Sequence, residues 1–500
     1  MMFEDLENFD DNDCNCSTVV IGKKASATGH VIIGHNEDDS RTVIQLHSVP
    51  ARDCAPGETV IFGDNPHEIE CPSHSLAYMW SDVRKPGGIS FGDGFFNECG
   101  VVIVSDSCAS DKSDSEETEN SYLGYGLRVL LARQATSARH GVEIAKYLVE
   151  KYGYFGARTY HIADKNECWS VQIPKGHRLA AKKIPDDHVY FIPNWFTLHE
   201  IDFGDKNGEN YIYSEDIALY AEKKGWYVPA KPGDYSDFDF EVAYNSVDDR
   251  KKGSCVMRER NAWPVLGFEP DRRKPFSYKA EHLYSVDDVK KLLRNHWEGR
   301  ADSNNSDYDR NPHQKRTGPY TLCGPCSVES TITEFAENTG RSIVWRAWLQ
   351  PCTNPYVPFF IGSLRTPENY EWQDWKTAEK THFTPSDEEF LYNPGTAYWM
   401  YRTLGWFTEM DYRFCHPYIE DEIAKYEAFA RNAVDGLMSG IDGEADEEKR
   451  LGEFSIDMAA RADALVLKLI QRIGMAKYKE NCHDMPADEA PDYPGDRKNG

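Results

Sequence analysis

The sequence has no long apolar run, although it extends over 500 residues. No stretch approaches the roughly 20 apolar residues that cross a bilayer, which excludes a membrane-spanning protein. A secretory signal is also missing, because the first fifteen residues, MMFEDLENFDDNDCN, are acidic and contain neither a basic nor an apolar segment. We therefore expect a cytoplasmic protein whose 13 cysteines are thiols, and their odd number argues against a complete disulfide framework.

Positive charge is scarce as well. The chain has 56 Lys and Arg against 83 Asp and Glu, a formal net charge of −27. Such a field repels phosphate backbones and anionic lipids, so we expect neither nucleic acid nor a membrane surface as a partner. Hydrophobic residues make up 40% and aromatic residues 13%, enough to bury a core. The length suits two or three lobes, or one large layered domain with an appendage.

Paired metal-ligand motifs are absent from the sequence. There is no HExxH, and Cys255, His313 and Cys352 are scattered along the chain. A zinc site needs a second ligand pair, so we expect no metal and no cofactor.

One cysteine pair is closely spaced, in Cys323-Gly324-Pro325-Cys326, which resembles the thioredoxin redox tetrapeptide. That chemistry needs a buried strand before the motif and a helix after it. Ser327–Asn338 could form the helix, but Tyr320–Leu322 is too short for the strand. The redox interpretation is therefore disfavoured.

The apolar patterns predict strands, then paired helices, then strands, then a helical tail. This order indicates an α+β layered body. Ser17–Ile21 and His30–Gly34 flank a glycine-bounded loop and predict a hairpin. The other predicted strands are Val101–Val104, Arg158–Ala163, Cys168–Gln172, His177–Lys182 and His188–Ile192, and the predicted helices are Tyr122–Ala135, Ala138–Tyr152, Ile423–Leu437 and Phe454–Ile473.

Cys16 stands at the head of the first predicted strand. If the hairpin turns near residue 26, Cys16 pairs roughly opposite Asn36, beside the polar cluster 35–39. A buried structural thiol is the usual fate of such a cysteine. A thiol that faces carboxylates and an amide is unusual for a core position, which makes Cys16 a candidate functional residue.

The flanking residues resemble the cysteine dipeptidases of the dipeptidase A family, in the N-terminal-nucleophile (Ntn) hydrolase superfamily. The resemblance starts at Asn15-Cys16-Ser17-Thr18 and continues in order past residue 430. The later segments that carry it are Gly22–Ser26, Gly34–Asp38, Asn97–Val101, Tyr160–Asp164, Val189–Asp202, Cys326–Thr331 and Pro351–Gly362. Each segment alone is a weak signal, whereas their order along the chain is a strong one.

The resemblance implies a four-layer αββα sandwich and an autocatalytic cut between Asn15 and Cys16. The cut exposes an α-amine with a pKa near 8 on the nucleophile itself, where it can act as general base. We thus expect an acidic leader at 1–15, a catalytic domain at 16–416, a helical extension at 417–480 and a polar tail at 481–500. Cys14 is a rival nucleophile, but Ser17-Thr18 and the hairpin register favour Cys16.

The resemblance also assigns roles to other residues. Asp38 corresponds to the aspartate that bonds the nucleophile's amine, and Asn194 to an amide that faces the oxyanion. The expected substrate-binding or supporting residues are His35, Asn36, Asn97 and either Arg258 or Arg260. His35 departs from the family pattern, which has arginine at this position, and a histidine supplies charge only when it is protonated.

Three functions follow from these observations. The first is a cysteine dipeptidase that hydrolyses dipeptides through a thioester acyl-enzyme and forms homo-oligomers. The second is an amidase for another small amide, of the N-acyl amino acid or conjugated bile acid type, because a fold does not fix the substrate. The third is a non-catalytic scaffold or binding protein that keeps residues 1–15.

Overall fold

A computed structural model describes residues 16–61, 68–90, 92–108, 110, 112, 114–245, 253–269, 275–298, 311–313, 321–441 and 446–481. The expected leader, with Cys14, lies outside the described residues, as do residues 482–500 of the expected tail. The chain folds as a mixture of helices and strands, which confirms the α+β class. None of the described helices is long and apolar enough to cross a membrane.

The described residues form twenty strands. In chain order they are β1 (Ser17–Ile21), β2 (Ile32–Asp38), β3 (Val43–Val49), β4 (Arg52–Asp53), β5 (Thr59–Ile61), β6 (Glu68–Glu70), β7 (His74–Ser75), β8 (Tyr78–Lys85), β9 (Gly88–Ile89), β10 (Gly94–Asn97), β11 (Val102–Ser107), β12 (Arg158–Ala163), β13 (Cys168–Ile173), β14 (Ala180–Lys183), β15 (His188–Ile192), β16 (Tyr211–Tyr213), β17 (Tyr278–Lys279), β18 (Ser327–Glu334), β19 (Ile343–Trp348) and β20 (Val357–Phe360).

Eleven α-helices lie in the same part of the chain. They are α1 (Ser115–Glu119), α2 (Gly126–Gln134), α3 (Ala138–Tyr152), α4 (Ile217–Lys223), α5 (Phe240–Tyr244), α6 (Gly253–Val265), α7 (Val286–Leu293), α8 (Trp375–Thr381), α9 (Ala397–Met410), α10 (Tyr412–Gly440) and α11 (Glu447–Asn481). Three short 3₁₀ turns cover Thr339–Arg341, Glu368–Tyr370 and Asp387–Phe390.

Two large antiparallel sheets contain most of the strands. The first sheet has the order β17-β15-β1-β2-β18-β19-β20, so β1 and β2 lie in its interior. The second has the order β16-β14-β13-β12-β11-β10-β8-β3, with β9 paired to β8. The predicted hairpin is present, but its register is Ser17 with Asn36 and Ile21 with Ile32.

The two faces of the second sheet pack against different layers. Along β11, Val102 and Val104 belong to the apolar core that includes the first sheet, whereas Ile103 belongs to a separate core with α2 and α3. This division follows from the period of two along a strand, which turns successive side chains to opposite faces. The first sheet is covered by α7 over β2 and β18, and by α10 and α11 over β20.

The C-terminal helices differ from the expected appendage. Helix α10 begins at Tyr412, capped by the Asp411 side chain, so the expected boundary at 416/417 falls inside it. Glu427 of α10 is buried and accepts a hydrogen bond from the Tyr356 main-chain nitrogen (2.8 Å). Ser455 of α11 accepts one from the nitrogen of Phe360. The two helices therefore complete the core above the first sheet.

Candidate active site

Cys16 immediately precedes β1 and is buried, with 4% of its surface exposed. Its Sγ donates a hydrogen bond to Oε1 of Glu37 at 3.0 Å and lies 3.8 Å from the main-chain oxygen of Asp38. The prediction that Cys16 lies opposite Asn36 is wrong by one residue, because Ser17 takes that position. A shift of one residue exchanges the faces of a strand, so the thiol meets Glu37.

A buried chain of hydrogen bonds continues from Glu37 to the second sheet. Oε2 of Glu37 lies 3.0 Å from Nε2 of His35, and Nδ1 of His35 lies 2.8 Å from the hydroxyl of Thr18. Thr18 donates its one hydroxyl proton to Oδ2 of Asp106 at 2.6 Å, so it accepts from Nδ1 of His35. A protonated His35 donates from both nitrogens, from Nδ1 to Thr18 and from Nε2 to Glu37.

The charges around His35 favour that cation. Burial lowers the pKa of His35, but the hydrogen bond to Glu37 and the charges of Asp106, Glu37 and Glu329 outweigh it. The pKa of His35 is therefore raised above its ordinary value. The expectation that His35 adjoins the nucleophile needs refinement, because His35 pairs with Thr18 and reaches the thiol only through Glu37.

The same surroundings keep Cys16 protonated. Burial raises the pKa of its thiol well above the ordinary value, and the charges of Glu37, Asp106 and Asp38 raise it further. Burial also raises the pKa of Asp38 to about 7. The Ser327 hydroxyl, which donates to Asp38 at 2.7 Å, and the charge of Arg258 lower this pKa, but burial outweighs them. The site therefore holds a surplus of acidic groups around an uncharged thiol.

Arg258 binds the start of β1 from helix α6. Nη1 donates to the main-chain oxygen of Cys16 (2.5 Å) and to the hydroxyl of Ser17 (2.8 Å), and Nη2 donates to Oδ1 of Asn194 (2.7 Å). Arg260 is exposed. Two residues along a helix are about 200° apart, so only one of these two arginines can face the site.

Asn194 follows β15 and has a φ of 69°, in the left-handed region. Its Oδ1 accepts from Arg258, and its Nδ2 donates to the main-chain oxygen of Ser107 at 2.9 Å. Because one N–H bond is used by Ser107, Asn194 brings at most one further N–H to an oxyanion.

The structure does not bring Asn36 and Asn97 to the thiol. Asn36 projects from the opposite face of β2 and donates to the main-chain oxygens of Leu293 and Leu322, both at 2.9 Å. The amide nitrogen of Asn97 donates to two main-chain oxygens at the end of α2, and its oxygen accepts from the nitrogen of Val101. Both asparagines therefore bond to main-chain groups away from the thiol.

Several residues of the cluster were not among the predicted site residues. They are Glu37, Thr18, Asp106, His161, whose Nδ1 lies 3.3 Å from Asp106, and Ser327. Glu37 lies inside the polar cluster 35–39 and was within reach of sequence reasoning. Asp106 and His161 come from β11 and β12 of the second sheet, and nothing local to Cys16 predicts them.

The cysteine predictions also need correction. Cys326 is disulfide-bonded, so the expectation that every cysteine is a thiol fails there, while Cys323 is free. Residues after the CGPC segment form strand β18, which excludes the helix required by a thioredoxin-like motif. His313 and Cys352, expected to be scattered, meet in one cluster with His296 and Cys323.

Comparison with known proteins identifies the family to which the chain belongs. The model of peptidase family C69 matches residues 15–425.

The chain belongs to peptidase family C69.

It is thus a hydrolase of a cysteine-peptidase family, as the sequence predicted. Among its relatives, a probable dipeptidase B of Streptococcus pyogenes is 26% identical over 397 residues, covering 74% of this chain and 76% of the relative. A probable dipeptidase of Latilactobacillus sakei is 25% identical, over 86% of this chain and 89% of the relative. Dipeptidase A of Lactobacillus helveticus is 24% identical, over 80% of this chain and 82% of the relative.

Proposed function

We propose that this member of family C69 is a cysteine dipeptidase whose nucleophile is Cys16. The observation that carries the proposal is the thiol of Cys16 at the head of a central strand, donating to Glu37 and flanked by Asp38 and Arg258. The relatives named as dipeptidases support the substrate class. The expected cytoplasmic location and homo-oligomeric state remain predictions.

We further propose the four-layer Ntn fold. Two features support it: the two large sheets share one core, and helices cover the remaining faces, with α2 and α3 on one sheet and α7, α10 and α11 on the other. In that fold the nucleophile begins its chain, and the family match here starts at residue 15, next to Cys16.

Self-cleavage would create the amine. In the uncleaved chain the nitrogen of Cys16 is an amide and cannot act as a base. Glu37 accepts the thiol proton instead, and Sγ attacks the carbonyl carbon of Asn15. The C–N bond breaks, the nitrogen takes the proton, and an Asn15 thioester forms. Water then hydrolyses the thioester and releases the leader as a carboxylic acid with Cys16 as the new N-terminus.

The new amine completes the electrostatics of the site. Glu37, Asp38 and Asp106 stabilise an ammonium at Cys16, and its positive charge lowers the pKa of the thiol. The neutral amine accepts the thiol proton, the thiolate attacks the dipeptide carbonyl, and the leaving amine takes that proton. Water then hydrolyses the acyl-enzyme. Asn194, oriented by Arg258, donates an N–H to the oxyanion, an interaction worth about 3 kcal/mol.

The surroundings favour a free dipeptide over the other amides. A cavity beside the site is lined by Asp39, Ser327, Arg41 and Arg402 among other residues. Its two carboxylates, Asp39 and Glu409, and its two guanidinium groups complement a substrate with a free ammonium at one end and a free carboxylate at the other. An N-acyl amino acid or a conjugated bile acid lacks the ammonium group.

The test compares a free dipeptide, its N-acetylated form and a bile acid conjugate as substrates. We expect hydrolysis of the free dipeptide only, and its loss after thiol alkylation. Cys16→Ala should be inactive, whereas Cys14→Ala and the control Cys99→Ser should be active, because Cys99 lies outside the site.

Other outcomes select the alternatives. Preferential hydrolysis of the acylated substrates would show that the protein is an amidase for another small amide. Absence of all three activities, together with a retained leader, would favour a non-catalytic scaffold or binding protein.

A further inference from the structure

We propose that His296, His313, Cys323 and Cys352 bind one zinc ion in a closed structural site. This inference does not depend on the proposed peptidase mechanism. The ligand atoms of the four side chains all lie within 4.8 Å of one another. Two imidazoles and two thiols are a common ligand set for structural zinc.

The spacing of the ligand atoms matches a tetrahedral zinc centre. Nε2 of His313 lies 3.2 Å from Nε2 of His296, 3.6 Å from Sγ of Cys323 and 3.4 Å from Sγ of Cys352. Zinc bonds of about 2.0 Å to nitrogen and 2.3 Å to sulfur place tetrahedral ligands roughly 3.3 Å apart for two nitrogens and roughly 3.6 Å apart for nitrogen and sulfur. The three distances thus lie close to the three tetrahedron edges that meet at Nε2 of His313.

Hydrogen bonding alone accounts poorly for this arrangement. An imidazole nitrogen carries either one proton or one in-plane lone pair, so it makes one good hydrogen bond. Three groups approach the same Nε2 of His313. All three groups and that nitrogen can bind a partner at the same time if the partner is one shared metal ion.

A carboxylate behind His296 orients the ring. Nδ1 of His296 lies 2.9 Å from Oε1 of Glu298, and the His296 main-chain nitrogen donates to Oε2 at 3.0 Å. This bond leaves Nε2 facing His313. Metal-bound histidines usually have such a partner on their second nitrogen, which fixes the tautomer and raises ligand basicity.

The site would connect four separate parts of the chain. His296 follows α7, Cys323 precedes β18, Cys352 follows β19, and His313 lies between α7 and β18. His296, His313 and Cys323 are buried. Four protein ligands leave no open position, which makes the site structural and not catalytic. The loop from Cys323 ends at Ser327, and the Ser327 hydroxyl donates to Asp38. Zinc would therefore stabilise the loop that positions Asp38 in the candidate active site.

The first test is the metal content of the wild-type protein, purified with zinc and without strong chelators. We expect about one zinc per chain by mass spectrometry, and X-ray absorption should show two sulfur and two nitrogen ligands. Cobalt in place of zinc should give the intense visible absorption of a tetrahedral thiolate site.

Variants then identify the ligands. Cys352→Ser and His313→Ala should retain fewer than about 0.1 zinc per chain under competition with a weak chelator. Cys99→Ser, a partly buried thiol outside the cluster, should retain the wild-type content.

The proposal is overturned if the wild-type protein holds no zinc after purification and takes up none from added zinc. It is equally overturned if X-ray absorption shows a ligand set without two sulfurs. Both measurements use the wild-type chain, so a misfolded variant cannot decide them, and neither depends on peptidase activity.

Discussion

Two regions of this protein bring thiols, imidazoles and a carboxylate together, and the order of these groups differs between the two regions. At Cys16 the thiol donates to a carboxylate, and His35 lies behind that carboxylate. At the four-residue cluster the thiols of Cys323 and Cys352 face an imidazole nitrogen directly, and the carboxylate of Glu298 lies behind. The order of the partners therefore decides whether a thiol donates to a carboxylate or faces an imidazole nitrogen with which it can share a metal ion.

The two regions also differ in what would complete them. The Cys16 region has surplus acid and is completed by an ammonium created by cleavage. The four-residue cluster is completed by a divalent cation. Ser327 connects them, because it follows the loop that carries Cys323 and donates to Asp38. If the two regions are as separate in function as in chemistry, a change in one should leave the other largely unaffected.

The largest effect should come from Glu37→Gln, which keeps the side chain's size and removes its proton acceptor. We expect cleavage of the leader to slow by about 10²–10⁴-fold, the usual contribution of a general base. An intact-mass time course on freshly purified protein measures it.

Glu329→Gln is the matched control. Glu329 pairs directly opposite Glu37 across β2 and β18, but its carboxylate contacts Ser81 and Arg346 instead of the thiol. It should process within about tenfold of wild type, because it accepts no proton from Cys16. Equal slowing in both variants would show that buried negative charge, and not proton acceptance, is what matters.

Arg258→Lys should lower kcat/KM by about 10²-fold, because a lysine cannot reproduce the forked bonds to Cys16, Ser17 and Asn194. Arg260→Lys on the exposed face of the same helix should change stability by less than about 0.5 kcal/mol and leave kcat/KM unchanged. Steady-state kinetics on both variants checks this. Equal losses of kcat/KM in the two variants would show that Arg258 has no specific role in the site.

Chelation should separate the two regions. Prolonged treatment with a strong chelator should lower the melting temperature by about 5 °C, since ligand binding stabilises the folded state, while the processed enzyme keeps its activity at 25 °C. Calorimetry and a peptidase assay on the same sample measure both. Cys352→Ser should show no further shift. Immediate loss of activity that zinc restores would show that the two regions are coupled through Ser327 and are not separate in function.

The last prediction concerns pH. The pKa of Asp38 rises from 3.8 to about 7 on folding, so the folded chain binds more protons across that window and loses stability as pH rises. Asp38→Asn removes this loss. Both chains carry Cys16→Ala, so that they stay uncleaved. The free energy of unfolding of the Asp38→Asn variant minus that of its parent should increase by up to about 1.4 kcal/mol per pH unit, then level off above pH 7. Denaturant titrations that give a constant difference would show that Asp38 titrates normally.

The sequence predicted much of the fold, because its main signals are local. Strand β12 matches the prediction in full, and β1 and α3 do as well. The register between β1 and β2 was missed because long-range contacts shape the loop between them. Ser26 bridges Tyr284, and the nitrogen of Lys24 bonds to Asp186, which centres the pairing between residues 26 and 27. A turn centre that is shifted by half a residue changes the strand pairing by one residue. That change was enough for the predicted register to miss Glu37.

The remaining parts of both regions depend on tertiary structure alone. Asp106 reaches the candidate active site because β1 packs on β11 of the other sheet. The four zinc ligands span residues 296–352, and no pair of them has the short spacing that marks a zinc motif. Cys323 and Cys326 do have such spacing, yet they are not in one cluster. Sequence spacing therefore indicated the wrong cysteine pair.

The mass and N-terminus of the purified protein test the central claim most directly. We expect a chain that begins at Cys16, with residues 1–15 lost, and a Cys16→Ala chain that keeps them. Active protein that retains residues 1–15, or a cut that survives in Cys16→Ala, would contradict it.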